Sequence, residues 1–171
     1  MIRAYRGIVP KIAVSAYIDP AAVVIGDVVV GERSSVWPNV TVRGDVNYIR
    51  IGDETNVQDN SCLHVELNRY PLVIGDRVSI GHSVTLHGCD VEDDCLIGIG
   101  ATVLNGARIR SGSIVAAGAL VPEGMDVPEG SIVMGVPARF KRSVTEAERE
   151  RILETARRYI GYRQIYKEET F

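Results

Sequence analysis

The sequence predicts an all-β solenoid: a parallel β-helix of triangular section, with one α-helix packed along it. Two observations carry this. From Ile25 onward an aliphatic residue recurs every six positions, and the step holds unbroken through Ile97, Val103, Ile109, Val115, Val121, Val127 and Val133. The chain is also 46% hydrophobic but only 6% aromatic, so its core must be layered from Val, Ile, Leu and Ala. A period of six fits neither a helix nor an alternating strand. It fits a short strand plus a tight corner, three times per coil, with each inward residue stacked on its equivalent 18 residues away. Glycine, Asn and Asp allow the corners. An ordinary β-sandwich would not hold this step for so long.

Residues 1–20 carry Pro10 and Pro20 and read as an irregular lead-in and cap. The hexapeptide repeat is expected over residues 21–138, with two interruptions. The first, around Val42-Arg43-Gly44-Asp45-Val46, adds residues before Ile51. The second spaces Leu63 and Ile74 by eleven where six would do, so Glu66 to Pro71 form a small loop thrown off one corner. Counted so, Leu86 falls on the same prism face as Leu63, one coil on. The repeat ends near Gly135-Val136-Pro137-Ala138. A helix is expected over residues 143–167, because Ser143-Val144-Thr145-Glu146 and Thr145-Glu146-Ala147-Glu148 both have capping-box form. Ile152, Ala156, Tyr159 and Ile160 make one apolar stripe, which should lie back along the solenoid.

The chain's 171 residues suit one domain with a terminal appendage. A net charge of -3 with mixed signs offers no field for nucleic acid and no polybasic membrane patch. No apolar run reaches the roughly 18 residues of a membrane span, and the first residues lack a signal peptide's apolar core. Cys62, Cys89 and Cys95 are odd in number and match no CxxC pattern, so they read as buried thiols in a reducing cytoplasm.

The three histidines are His64, His82 and His87. His64 and His87 each follow an inward leucine. If Leu63 and Leu86 stack, the two imidazoles stack too, about 5 Å apart. That spacing lets both reach one metal at about 2.0–2.1 Å per bond. His82 is up to about 16 Å from His87 along extended chain and around a corner, so a neighbouring subunit is the expected source of the third ligand. Three copies about a threefold axis would build three equivalent sites. Three neutral imidazoles leave a fourth position open, the pattern of a catalytic zinc. Arg43 and Asp45 form a candidate ion pair, either at this interface or as a structural bridge. Gln58 is a candidate for orienting a bound water, and Asp59 for anchoring neighbouring groups, although Asp59-Asn60 also suits a plain corner.

Ser35-Val36-Trp37-Pro38-Asn39, Val42-Arg43-Gly44-Asp45, Ile51-Gly52-Asp53-Glu54-Thr55-Asn56-Val57-Gln58-Asp59, Leu63-His64 and Gly81-His82 to His87-Gly88-Cys89 together resemble the gamma-class carbonic anhydrase family. The resemblance runs from about residue 10 to 166. It implies a left-handed β-helix and a homotrimer that hydrates CO2 reversibly to bicarbonate. It also implies Zn2+, Fe2+ or Co2+ at each interface, bound by His64 and His87 of one subunit and His82 of the next. It places Gln58 at the catalytic hydroxide, Asn56 near the substrate, Arg43 and Asp45 as the interfacial pair, and Tyr159 as the active-site tyrosine. Two departures stand out. Val46 occupies a position where characterised archaeal members carry glutamate, and the loop after His64 is short, with Glu66 its only acid and so the candidate proton shuttle. Two other functions fit a hexapeptide β-helix: acyl transfer or metal-assisted hydrolysis of CoA thioesters, and non-catalytic metal or siderophore binding.

Overall fold

The computed structural model describes residues 1–169. They form a left-handed parallel β-helix of about seven coils and one C-terminal α-helix. Each coil has three sides. The first side stacks Ile2–Arg3, the starts of the long strands Val23–Val30 and Thr41–Ile51, then Cys62–His64, Thr85–His87, Thr102–Val103 and Leu120–Val121. The second stacks Lys11–Ile12, the ends of the two long strands, Leu72–Ile74, Asp90–Val91, Arg108–Ile109 and Asp126–Val127. The third runs from Tyr17–Ile18 through Ser35–Val36, Asn56–Val57, Ser79–Ile80, Leu96–Ile97 and Ile114–Val115 to Ser131–Met134. Three short strands therefore lie within residues 1–20, each paired to the next coil.

The six-residue period becomes packing in a simple way. Val57, Ile80, Ile97, Val115 and Val133 are register partners on the third side, and none is exposed. Leu63, Leu86 and Val103 do the same on the first. Each such side chain contributes about 1.5–3 kcal/mol by leaving water. The corners need a left-handed residue, and it recurs every six positions at Asp94, Gly100, Gly106, Gly112, Gly118, Gly124 and Gly130. In the earlier coils the same role falls to Arg33, Asn39, Glu54, Asn60, Arg77 and Ser83. Four of these corner residues pair from coil to coil, Arg33 with Glu54 at 2.5 Å and Arg77 with Asp94 at 2.6 Å.

The glycines before Glu32, Asp53 and Asp76 have a separate cause. The amides of Glu32, Asp53 and Asp76 donate to the carboxylates of Asp53, Asp76 and Asp93 on the following coils, at 2.7, 2.8 and 2.9 Å. The incoming carboxylate lies where a Cβ would be: one built on Gly52 falls 2.3 Å from Asp76 Oδ1. Glycine there makes room for a hydrogen bond between coils.

Arg139–Ser143 turns back antiparallel on Ser131–Met134 and ends the parallel ladder. The helix Glu146–Glu169 follows, about 36 Å long at 1.5 Å per residue. Of the two capping boxes, Thr145 is the one used: its amide donates to Glu148 at 2.9 Å and its hydroxyl accepts from the Glu148 amide at 3.3 Å. Ser143 instead ends the preceding strand. The helix returns over the third side with Ile152 and Ala156 buried and Tyr159 and Ile160 half-buried. Arg163 is buried as well, and its guanidinium donates to the Ser15 carbonyl in the first coil. Cys89 and Cys95 are buried, and burial pushes the Cys95 thiol up to about 12. Cys62 departs from expectation, because it faces outward on the first side and is exposed. Among the described residues no helix is long and apolar enough to cross a membrane.

Gly52→Ala should therefore lower the unfolding free energy by about 1–3 kcal/mol in a urea titration, the range for forcing atoms into a filled site. An unchanged midpoint would mean that the Asp76 carboxylate moves aside freely.

Candidate functional site

The predicted residues gather into two clusters at the two ends of the first side. The first cluster begins with the stacked leucines. Leu86 pairs with Leu63 and His87 with His64 in register, so both imidazoles leave the first side on its outer surface. Their ring centroids are 5.0 Å apart, and His64 Nδ1 faces His87 Nε2 at 3.1 Å. The other nitrogen of each ring is engaged. His64 Nε2 lies 3.0 Å from Asp45 Oδ1, and the second Asp45 oxygen accepts from Arg43. His87 Nδ1 lies 2.7 Å from Asn105 Oδ1, while Asn105 Nδ2 donates to Glu66 at 2.7 Å. A carboxylate and a carbonyl oxygen only accept at neutral pH. The engaged nitrogens therefore carry the protons, and two lone pairs face each other at 3.1 Å.

The interrupted coil explains how Asp45 arrives there. Thr41–Ile51 bends from the first side to the second, and its partner strand shifts register between Gly26 and Val28. Gly44 is needed at the bend, because a Cβ would fall 2.6 Å from the Asp27 carbonyl oxygen. Val46 packs against the core. Burial pushes the Asp45 carboxyl up, but Arg43 and His64 outweigh it and hold it below the ordinary 3.8. Burial lowers His64, with Asp45 opposing and Arg43 and His87 reinforcing, so the ring is neutral at pH 7.

The second cluster lies where the third side meets the first. His82 follows Gly81 at that corner, and its Nδ1 is 3.0 Å from Asp59 Oδ2. Gln58 is buried at the end of Asn56–Val57 and donates through Nε2 to Asn56 Oδ1 at 3.0 Å. Asn56 is 1% exposed and passes the chain on, from Nδ2 to Ser79 Oγ at 2.9 Å. Tyr159 reaches over from the helix. Its ring meets Trp37 edge-on at 5.5 Å, and with Gln58 and Gly81 it lines a groove of about 670 Å3 between helix and solenoid. Burial raises the Tyr159 phenol, and the charge of Asp59 adds to the effect, so it stays protonated.

The strand Thr85–His87 separates the two clusters, with His82 before it and His87 at its end. Among the described residues no three His, Cys, Asp or Glu side chains converge to hold a metal ion within one chain. The imidazole pair still suits one. Two ligands on a tetrahedral ion at about 2.0–2.1 Å stand roughly 3.3 Å apart, close to the gap between His64 and His87. Asn105 and Ser79 are the members of the clusters that the motifs did not single out.

A hexapeptide-repeat β-helix bearing a paired-imidazole site defines the class of protein. No family model matches the chain. It is 46% identical to the carbonic anhydrase of Geobacillus kaustophilus over 167 residues, 98% of this chain and 91% of that one. It is 42% identical to the mitochondrial gamma carbonic anhydrase 2 of Arabidopsis thaliana over 94% of its own length, but spans only 59% of that protein. A crystal structure from Bacillus cereus superposes with a TM-score of 0.97 at 41% identity, covering 99% of this chain and 98% of that one. That of a hexapeptide transferase family protein from Anaplasma phagocytophilum gives 0.93 at 37%, covering 96% and 97%. The chain belongs to the gamma carbonic anhydrase family.

Asp45 supplies a test of the first cluster. A carboxylate whose folded pKa lies below its unfolded one stabilises the fold above the unfolded value, and loses that contribution as pH falls through the folded one. In chelator-treated protein, Asp45→Asn should cost about 1.5 kcal/mol at pH 7. The gap to the wild type should close as pH falls below 3.8. A gap that persists at low pH would assign the loss to packing rather than charge.

Proposed function

We propose that this chain is a metal-dependent carbonic anhydrase-like enzyme that interconverts CO2 and bicarbonate at the interfaces of a homotrimer. The observation that carries this reading is the pair of lone pairs on His64 Nδ1 and His87 Nε2, facing each other across 3.1 Å with both outer nitrogens hydrogen-bonded. Two like dipoles held this way call for a cation between them. His82, with Nδ1 held by Asp59, keeps Nε2 for the same role, and in this reading it joins the pair of the neighbouring subunit. Zinc held there, or Fe2+ or Co2+, would supply hydroxide at neutral pH by lowering the pKa of a bound water to about 7.

The chain's own residues do the rest. Asp45 and Asp59 hold the His64 and His82 rings in the tautomers that present one nitrogen each. Gln58 commits its amide N–H to Asn56, so its carbonyl oxygen is the end turned to the site, an acceptor that orients the nucleophile's O–H. Asn56, with both its ends committed, acts through Gln58. The protonated Tyr159 hydroxyl donates to an oxygen of bicarbonate in the groove. The Arg43–Asp45 pair closes within one chain and stiffens the His64 side of the interface. Proton export is the weak step: Val46 offers no acid, and Glu66 is the one carboxylate on the neighbouring loop.

A second reading has its own support. The groove has an apolar floor at Ile99, Ala116 and Ala117 and cations at Lys141, Arg151 and Arg158, which suits a CoA thioester, and both structural relatives carry transferase descriptions, that from Bacillus cereus as a putative acetyltransferase. Anaerobically purified protein should hold about one metal per chain and hydrate CO2, with a rate that rises as imidazole buffer is added, because external carriers relieve slow proton transfer. His87→Ala should lose both metal and hydration. Hydration that persists in the metal-depleted variant would contradict the proposal. Turnover of acyl-CoA without bicarbonate formation would favour the second reading, and tight metal with neither activity a binding role.

A further inference from the structure

Beyond the ligands themselves, the first cluster contains a part that its proposed function does not explain. Glu66, Asn105 and His87 form a chain of hydrogen bonds with one consistent polarity. Glu66 Oε2 accepts from Asn105 Nδ2 at 2.7 Å, and Asn105 Oδ1 lies 2.7 Å from His87 Nδ1. An amide offers a donor at one end and an acceptor at the other, and only the carboxylate decides which end faces which neighbour. With the Asn105 N–H turned to Glu66, its carbonyl must face His87, and His87 must then carry its proton on Nδ1.

The surrounding backbone is shaped around this contact. Gly88 has a φ of +54°, and a Cβ there would fall 2.7 Å from Asn105 Oδ1. The loop thrown off after His64 folds on itself: the Glu66 amide donates to the Tyr70 carbonyl at 2.9 Å, and Asn47 Nδ2 donates to the Glu66 carbonyl at 3.1 Å. Both bonds fix the backbone that carries the Glu66 carboxylate.

We infer that Asn105 is a positioning residue that locks the tautomer of His87, and that Glu66 sets the orientation of the Asn105 amide. The loop between Glu66 and Tyr70 exists, in this account, to deliver that carboxylate. The inference rests on reading His87 as an Nε2 ligand. Its distinguishing feature is polarity: amide and carboxylate can be exchanged between positions 66 and 105 without losing the chain of bonds. A carboxylate at 105 accepts from His87 and also from an amide at 66. Either exchange alone breaks it, since Asn105→Asp sets two carboxylates together and Glu66→Gln leaves the Asn105 amide free to turn.

Two readouts test this without CO2. Nitrogen-15 spectra of the histidine rings in metal-free protein report which nitrogen of His87 is protonated. Chelator competition reports the affinity for Zn2+. The wild type should show His87 protonated on Nδ1. Asn105→Asp and Glu66→Gln should each weaken Zn2+ binding, with Asn105→Ala the most severe at about 10–100-fold, the range for losing a group that orients a metal ligand. Glu66→Gln/Asn105→Asp should restore both tautomer and affinity to within a few-fold of the wild type. A double variant no better than Asn105→Asp would overturn the inference, as would an Asn105→Ala protein whose His87 keeps its proton on Nδ1. Because the exchange is isosteric, it decides the matter even if Asn105→Ala fails to fold. A protein that passes both tests yet hydrates no CO2 would leave this device standing and remove only the proposed reaction.

Discussion

The structure depends on one constraint: each coil lies in register on the one before, so a residue finds its equivalent about 4.8 Å away. The backbone bonds between coils impose it, and the aliphatic stack of Val57, Ile80, Ile97, Val115 and Val133 holds it. The same spacing governs polar groups. Aspartates reach back one coil to take an amide proton, and glycine must stand where they arrive. Shifting one coil by a single residue would exchange its inward and outward faces.

The first cluster is this register applied to chemistry. Asp45, His64, His87 and Asn105 come from four successive coils, each in contact with the next. That arrangement fixes both rings from both sides, and it asks no one segment to supply more than one ring or acceptor. The second cluster uses the same step, with Asp59 one coil before His82. In the proposed trimer, what one coil cannot do by stacking, bringing His82 to the pair, is done by symmetry.

Much of this was legible in the sequence because the solenoid writes its geometry as a period. The inward positions and the stacking of His64 on His87 follow from counting sixes, once the loop after His64 is set aside. Other features were hidden for physical reasons. Asn105, in Leu104-Asn105-Gly106, reads as an ordinary corner residue, and nothing local says that its amide meets an imidazole one coil away. The resemblance puts Asn56 near the substrate, but nothing local says that it is 1% exposed with both ends of its amide bonded, to Ser79 and Gln58. Arg163 is buried although it is charged, and the Ser15 carbonyl that accepts from its guanidinium lies 148 residues earlier in the chain. Cys62 departs from the usual burial of cysteine because its alternation with Leu63 puts it outside.

The central claim is that a complete site takes its ligands from two chains. The direct measurement mixes a His82→Ala chain, which keeps the imidazole pair, with a His87→Ala chain, which keeps His82, and counts bound Zn2+ in the reassembled oligomer. Each variant alone should bind no stoichiometric metal. In an equal mixture, random assembly about a threefold axis makes one interface in four complete, so Zn2+ should return to about a quarter of the wild-type content. No recovery in oligomers verified to contain both chains would contradict the account, because a site built within one chain lacks a ligand in either variant.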